Sequence, residues 1–514
     1  MSIIRNIITM GFLWLHCCPS SSAQNTFNIV MDYNKNAEGA YGVFPRADTS
    51  YNITGQYIDI PQYVQKILAF SIDKNGDSLS FKNYGVYPGT YYTGYREHII
   101  AADNKNILLC IKTEDTLNNK QAGILKMDNA TGDTLWQRLY GFPVYQDLSY
   151  AIAEDQDGNI LLAGVSDGFC DGEQGDLWVL KTNSVGDTLW NRTFRKQAYA
   201  QANSIAVMPD GNLMVAGLSL NSWMPPIQEH FPYLLKISGN GDFLADTLLA
   251  NHHSGGILFP LSNNRYVLKA EYDSLIADTL GQYVSYLSKI DANFNSVWKH
   301  YFFQPGGLKI GNLRELPDGS LICCGWDNNN PPLYNDYGFI AKLDSSGNLL
   351  WKHKYHKDTL WVNYLRDIQP TLDGGFIAVG LSRDTIRCIE DSLITPDLWV
   401  IKVDRNGCLG ADSCGLDTGI EQEVEETALS ISLYPNPASD YLGIAITAPA
   451  AVGGDNPWRV CLYDLLGRRV LQAALDGTNG GVISIASLPA GLYVVEIGQQ
   501  NDTRVLARAK VVKH

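Results

Sequence analysis

A paragraph of sequence recurs along this chain with a period of about 54 residues, and that recurrence restricts the fold more than any other feature. One copy runs from Asp176 to Leu218. Leu177–Lys181 alternates apolar with β-branched or long residues, as a strand does. Asn183-Ser184-Val185-Gly186-Asp187 is a turn cluster whose Gly supplies the positive φ of a tight hairpin. Leu189-Trp190 opens a second strand and Ala202–Val207 forms a third. Asp210-Gly211 turns again, and Leu213–Ala216 is a fourth strand ended by Gly217. No helical period intervenes, so the copy reads as one small sheet of four antiparallel strands.

The recurrence is countable. The first turn's Gly returns at Gly76, Gly132, Gly186, Gly241, Gly347 and Gly407, and the aromatic after it at Trp136, Trp190, Trp298 and Trp351. The second turn returns as Asp157-Gly158, Asp210-Gly211, Asp318-Gly319 and Asp373-Gly374, and the closing Gly at Gly55, Gly164, Gly217, Gly325 and Gly380. Three copies are degenerate: Phe294 stands at a turn Gly position, and Asn263-Asn264 and Asp103-Asn104 replace the other turn. First halves begin near Lys66, Ala122, Asp176, Pro232, Val284, Tyr337 and Asp397; second halves begin near Ala40, Tyr95, Leu148, Ala202, Gly256, Ile310 and Tyr364. The chain therefore starts with an unmatched second half and ends its repeats with an unmatched first half. A closed ring in which both chain ends share one blade uses that offset and leaves no sheet edge open. The expected fold is all-β: a seven-bladed β-propeller over residues 24–412, followed after a linker by a small β-sandwich.

Met1–Ala23 has the form of a secretory signal. Arg5 is the charged start, Ile7–Leu15 is apolar but too short to span a bilayer, and Ser21-Ser22-Ala23 is a small-residue cleavage site before Gln24. Cys17-Cys18 would suit a lipoprotein signal, but His16 ahead of Cys17 fits a lipobox poorly. No other apolar run is long enough for a membrane helix. The formal net charge of −15 and the absence of a basic run argue against a phosphate-backbone partner such as nucleic acid. Of ten cysteines, Cys408 and Cys414 are the pair expected to form a disulfide in an exported protein; Cys110 and Cys323 read as small core residues.

Few groups in the repeats suggest chemistry. Asp167, Asp171, Glu173 and Asp176 place four carboxylates in one Gly-rich loop, which could hold calcium, although the spacing is not that of an EF-hand and such clusters are ordinary in links. His252-His253 and His353-x-x-His356 are not zinc motifs; His353 and His300 follow a repeat Trp by two, as Arg138 and Arg192 do, which marks a strand-face position. Nucleophile-elbow, P-loop and dinucleotide motifs are absent, so no catalytic residue and no cofactor is assigned. Trp178 and Trp399 sit at equivalent strand positions and should pack between blades. Trp223 and Trp326 fall in links and are the surface aromatics to consider.

Asp417–Thr427 is acidic and short of large apolar residues, as a linker is, and residues 413–428 are assigned to it. From Leu429 the repeat stops. Strands are expected at Ile431–Tyr434, Tyr441–Ile446, Trp458–Tyr463, Arg468–Ala474, Val482–Ile485, Leu492–Ile497 and Arg504–Val512, a number that suits a sandwich. The motifs LYPNPASD (Leu433–Asp440, with Tyr434, Pro435, Asn436 and Pro437), VCLYDLLGRRV (Val460–Val470, with Gly467) and LPAGLYVVEI (Leu488–Ile497, with Gly491 and Tyr493), and the basic end at Lys510 and Lys513, resemble the C-terminal sorting domain of the Bacteroidetes type IX secretion system. The resemblance covers residues 429–514. It implies a cargo protein that passes Sec and then the type IX machinery, meets a sortase-like peptidase that removes the tail within the linker, and ends secreted or on the outer surface. The repeats also resemble a looser group of secreted Bacteroidetes proteins, which adds to the fold and little to function.

Two functions fit. One is a non-catalytic binding or adhesion module for a glycan or protein, using one propeller face. The other is a secreted enzyme acting on polysaccharide or peptide through carboxylates at the channel mouth, which a propeller scaffold permits.

Overall fold

The computed structural model describes residues 24–33, 37–59, 64–85, 90–100, 105–114, 120–141, 146–167, 175–222, 229–249, 254–274, 282–302, 308–327, 336–356, 362–383, 396–410, 430–434, 438–447, 458–464, 468–475, 480–499 and 507–513. Every regular element among them is a β-strand. The chain divides into two compact units, residues 1–418 and 419–514.

Among the described residues the first unit holds seven four-stranded sheets. Six follow chain order, over residues 37–84, 90–140, 147–194, 199–248, 257–302 and 308–355. The seventh joins residues 362–403 to the strand Phe27–Met31. The first strand of each sheet touches the first strand of the next, and Val362–Pro370 touches Ala37–Pro45, so the series closes on itself with the first strands innermost. This is a β-propeller. Each pair of neighbouring sheets shares its own buried cluster: Trp178 lies fully buried between the second and third, Trp399 between the sixth and seventh.

The phase of the repeat differs from the sequence expectation by half a unit. Asp176–Leu218 is not one sheet: Asp176–Thr182 and Thr188–Phe194 finish the third, whereas Tyr199–Val207 and Leu213–Leu220 begin the fourth. Connection length misleads here. The four-residue link 195–198 crosses between sheets, while the longer 221–229 joins two strands of one sheet. The Ala40 half is therefore not unmatched, since it pairs with the Lys66 half in the first sheet. The two chain ends do share one sheet, but by one strand against three, with Phe27–Met31 antiparallel to Pro396–Val403.

The N-terminal strand copies its counterparts in detail. Trp178 Nε1 donates to Asn191 Oδ1 (2.6 Å) on the fourth strand of its sheet, and Trp399 Nε1 donates to Asn28 Oδ1 (2.7 Å). A second device runs around the ring. The turn glycines adopt positive φ, +90° at Gly186, and pack on the aromatic of the preceding sheet: Gly186 on Trp136, Gly241 on Trp190, Gly347 on Trp298 and Gly407 on Trp351. Gly76 packs on Phe27 in the same way, whereas Gly132 has nothing within 4 Å of its Cβ position. His300 and His353 belong to this latch; their Nε2 atoms donate to the carbonyls of Ser346 (2.9 Å) and Asn406 (3.0 Å). The degenerate turns survive because Phe294 (φ 68°), Asn263 (57°) and Asn264 (55°) take the left-handed conformation themselves. Asp103-Asn104 lies outside the described residues.

The glycines read as closing each unit do something else. Gly217 lies inside Leu213–Leu220, opposite a β-bulge at Asn203, and Gly55, Gly164, Gly325 and Gly380 face the equivalent irregularity. A Cβ at these glycines would fall 1.7–2.0 Å from a carbonyl oxygen of the innermost strand. The bulge folds that strand onto its neighbour so closely that only Gly fits.

The second unit has a three-stranded sheet (Ser430–Tyr434, Tyr441–Thr447, Gly480–Ser484) and a four-stranded one (Arg469–Leu475, Trp458–Tyr463, Gly491–Gln499, Ala507–Lys513). Leu442, Ile444 and Ile483 of the first share one core with Trp458, Val460, Val495, Ile497 and Val511 of the second. Two sheets with a common core are a β-sandwich.

Candidate functional site

Strands meet in short turns at one end of the ring, and at the other the strand ends are separated by longer intervals of sequence, including 167–175, 221–229, 328–336 and 384–395. Long connections on a rigid scaffold are where binding residues concentrate. At that end the innermost strand Val362–Pro370 presents Tyr364 and, at its bulge, Arg366. Bulges re-aim side chains. The Arg366 guanidinium lies 5.2 Å from the centre of the Trp326 ring, 5.8 Å from Tyr364 and 5.4 Å from Tyr41, the bulge residue of the first sheet. Trp326 and Tyr364 are tilted against one another at 4.7 Å. All four side chains are half-buried.

The polar groups here are unevenly satisfied. Tyr364 donates its hydroxyl to Asp336 Oδ2 (2.9 Å), and burial, then the Asp336 charge, push its phenol up to about 12. The Arg366 Nε atom is buried with no hydrogen-bond partner, and so is Nε of Arg383, a second cation close enough to Tyr364 to act on its titration. Buried polar atoms are rarely left unpaired, and those that are point to a missing ligand group or water. Three aromatic faces around a guanidinium, with a second guanidinium beside them, suit a ligand with both an apolar ring face and an anionic group.

Of the residues singled out from sequence, Trp326 enters this cluster, but half-buried and from the strand Leu321–Asp327 and not from a link, whereas Trp223 lies outside the described residues. Asp171 and Glu173 of the acidic loop also lie outside them. Asp167 Oδ1 accepts from the Gly175 amide (3.1 Å), and Asp176 is paired with Arg195 at 2.7 Å, so both described carboxylates already have protein partners. Cys408 is disulfide-bonded; Cys414 lies outside the described residues. Cys110, Cys323, Cys324 and Cys461 are buried and not disulfide-bonded, and burial pushes Cys323 up to about 12. Ala23 lies outside the described residues, and Gln24 is held against the seventh sheet, its side chain bonding Asp373 O and the Arg405 amide. Sequence reasoning missed Arg366 and Arg383, because a lone Arg in a strand carries no signal until the bulge and the neighbouring sheets are known.

In the second unit, Tyr493 is buried and donates its hydroxyl to Pro489 O (2.7 Å), tying the LPAG turn to the strand that follows it. Gly491 begins that strand, opposite Lys513. Lys513 is 8% exposed, so the basic end is the close of a paired strand and not a loose tail. The backbone of Lys510 pairs with Val494, and that of Tyr434 with Gly443. Pro435, Asn436, Pro437 and Gly467 lie outside the described residues. Ala438, within the LYPNPASD motif, donates its amide to Val512 O (2.7 Å) and docks this part of the motif on the last strand.

Residues 432–513 match the secretion system C-terminal sorting domain family. The chain is a type IX secretion cargo. Export runs through the periplasm to the cell surface or the extracellular space. No helix among the described residues is long and apolar enough to cross a membrane. No curated protein matches this cargo in sequence. Solved structures similar to it include the β-propeller domain of the Trilobed protease from Pyrococcus furiosus, described as having an open velcro topology (8% identity, TM-score 0.42, 73% of this chain and 97% of that one). The periplasmic gluconolactonase PpgL of Pseudomonas aeruginosa (12%, 0.42, 72% and 97%) and the polysaccharide lyase Uly1 (8%, 0.43, 71% and 89%) are others.

Proposed function

We propose that the propeller is a non-catalytic binding module delivered by the type IX machinery, and that it recognises an acidic glycan at the Trp326–Tyr364–Arg366 cluster. The observation that carries this reading is the Arg366 guanidinium set among three aromatic rings with its Nε unpartnered. A sugar ring stacks on an aromatic face, and a uronate or sulfate accepts from a guanidinium. The net charge of −15 does not forbid such a ligand. Surface charges further away than about 8 Å are largely screened at physiological salt, so the local pair of arginines dominates. Catalysis has weaker support. Glu38 is pushed up to about 9, chiefly by burial, but it is buried, and its neighbour Asp397 is buried too, so a substrate oxygen cannot reach them.

The test is affinity electrophoresis and calorimetry with polygalacturonate against a neutral polysaccharide such as xylan. Binding to the acidic polymer is expected, with Trp326→Ala and Arg366→Ala each weakening it about tenfold or more. Equal retention by both polymers, or binding unchanged in both variants, would refute the assignment.

A further inference from the structure

A second cluster lies where the ring is closed. Asp32 follows the N-terminal strand Phe27–Met31, Glu38 is on the innermost strand Ala37–Pro45, and Asp397 is on Pro396–Val403 of the seventh sheet. These three come from the elements that meet at the seam between the chain's beginning and the end of its repeats. One carboxylate oxygen from each lies within 4.8 Å of the other two. Two oxygens bound to one calcium ion at about 2.3–2.6 Å can be no more than about 5 Å apart, so the spacing is that of a shared ion.

Acidic residues gather on many surfaces without a ligand, but Glu38 is not on a surface. It is 1% exposed, and neither of its carboxylate oxygens has a hydrogen-bond partner. The surroundings disfavour its charge: burial contributes most, then Asp397 and Asp32, while the Tyr33 amide favours the charged form without reaching hydrogen-bonding geometry. Buried carboxylates are satisfied by donors, by a cation or by a proton. Donors are missing for Glu38. A proton would neutralise Glu38 but bring no donor to its second oxygen. A cation would be coordinated by Glu38 together with the Asp32 and Asp397 oxygens beside it, and the exposed side of Asp32 leaves room for waters to complete its shell. Oxygen ligands alone, with no His or Cys, select a hard ion over zinc.

We propose that Asp32, Glu38 and Asp397 bind a divalent calcium-type cation that fastens the N-terminal strand and so holds the ring shut. Three carboxylates and water make a site of the affinity found in extracellular modules, about 10⁻⁴–10⁻³ M, which suits a protein that leaves the cell. The cation tightens the closure where the exported chain meets it.

The experiment is thermal unfolding of the purified full chain, stripped with EDTA, against added CaCl₂ at neutral pH, with terbium luminescence as an independent readout of occupancy. Calcium at about one hundred times its dissociation constant is expected to raise the melting temperature by about 4 °C. Glu38→Gln keeps the side chain's shape and removes its charge, so this variant should melt no lower than the stripped wild type, yet lose the calcium shift and the terbium signal. Asp32→Asn, at an exposed position, should weaken calcium at least tenfold without altering the stripped melting temperature. No response of the wild type to calcium, or a full response in Glu38→Gln, would overturn the proposal and leave a proton as the partner of Glu38.

Discussion

Removing residues 507–514 is expected to abolish export and leave the protein inside the outer membrane. The strand Ala507–Lys513 pairs along its whole length with Gly491–Gln499, buries Val511 completely, and supplies the Val512 carbonyl that receives the Ala438 amide. Its loss strips one side of the four-stranded sheet and opens the small core that Val511 shares with Leu442, Trp458 and Ile497. Burying one Val contributes about 1.5–3 kcal/mol, and a domain of this size has a margin of only about 5–10 kcal/mol. Loss of the strand's hydrogen bonds as well should unfold the sandwich, and the machinery would have nothing folded to read. The propeller, a separate unit, should stay folded. Cell fractionation with an antibody to the ring checks this: the truncated chain should appear in the periplasm as a protease-resistant ring. Surface or medium levels equal to the full chain would show that the last strand is dispensable.

The second large effect is expected at a glycine that a sequence reading treats as punctuation. Gly217→Ala should destabilise the propeller by more than about 4 kcal/mol, the range reserved for severe steric faults. The added Cβ would sit 1.8 Å from the Gln201 carbonyl oxygen, a backbone atom fixed by the bulge at Asn203 and unable to swing aside. Gly211→Ala, in the same sheet, is the internal control. Gly211 has φ +79° but nothing within 4 Å of a Cβ, so its cost is the backbone strain alone, about 1 kcal/mol. Equilibrium guanidinium unfolding of the two variants separates them. Similar losses for both would mean that the bulge is softer than its geometry implies.

These glycines also show what the sequence disclosed and what it withheld. Turn chemistry is local, so the hairpins were legible even where the residues drift: Phe294, Asn263 and Asn264 adopt the conformation of the glycines they replace. The equivalence of Trp178 and Trp399 was legible for the same reason, since each repeats in its strand and each is buried between sheets. Phase was not legible. A turn motif states that two strands pair, not which neighbouring hairpin completes their sheet, and Gly217 marks a close approach within a strand where a strand end was expected.

The closing strand left a fainter trace. Phe27-Asn28 repeats Trp190-Asn191: Phe27 packs on a turn Gly as Trp190 does, and Asn28 accepts from Trp399 as Asn191 accepts from Trp178. A search for that pair upstream of Ala40 could have found it. Glu38 and Asp397 could not have been joined in that way. They are brought together only by ring closure, across most of the length of the repeats. Arg366 likewise acquires meaning only from Tyr41 and Trp326, which arrive from two other sheets. The sorting module was the most legible part, because its motifs coincide with local structure: the LPAG turn is held by Tyr493, and the basic end closes the final strand.

The most direct test of the cargo assignment is the intact mass of the protein recovered separately from periplasm, cell surface and medium of its native cells. The expected result is a surface or medium species that begins at Gln24 and ends within residues 413–428, carrying the ring alone. Protein found only in the periplasm, with His514 still in place, would contradict export by this route.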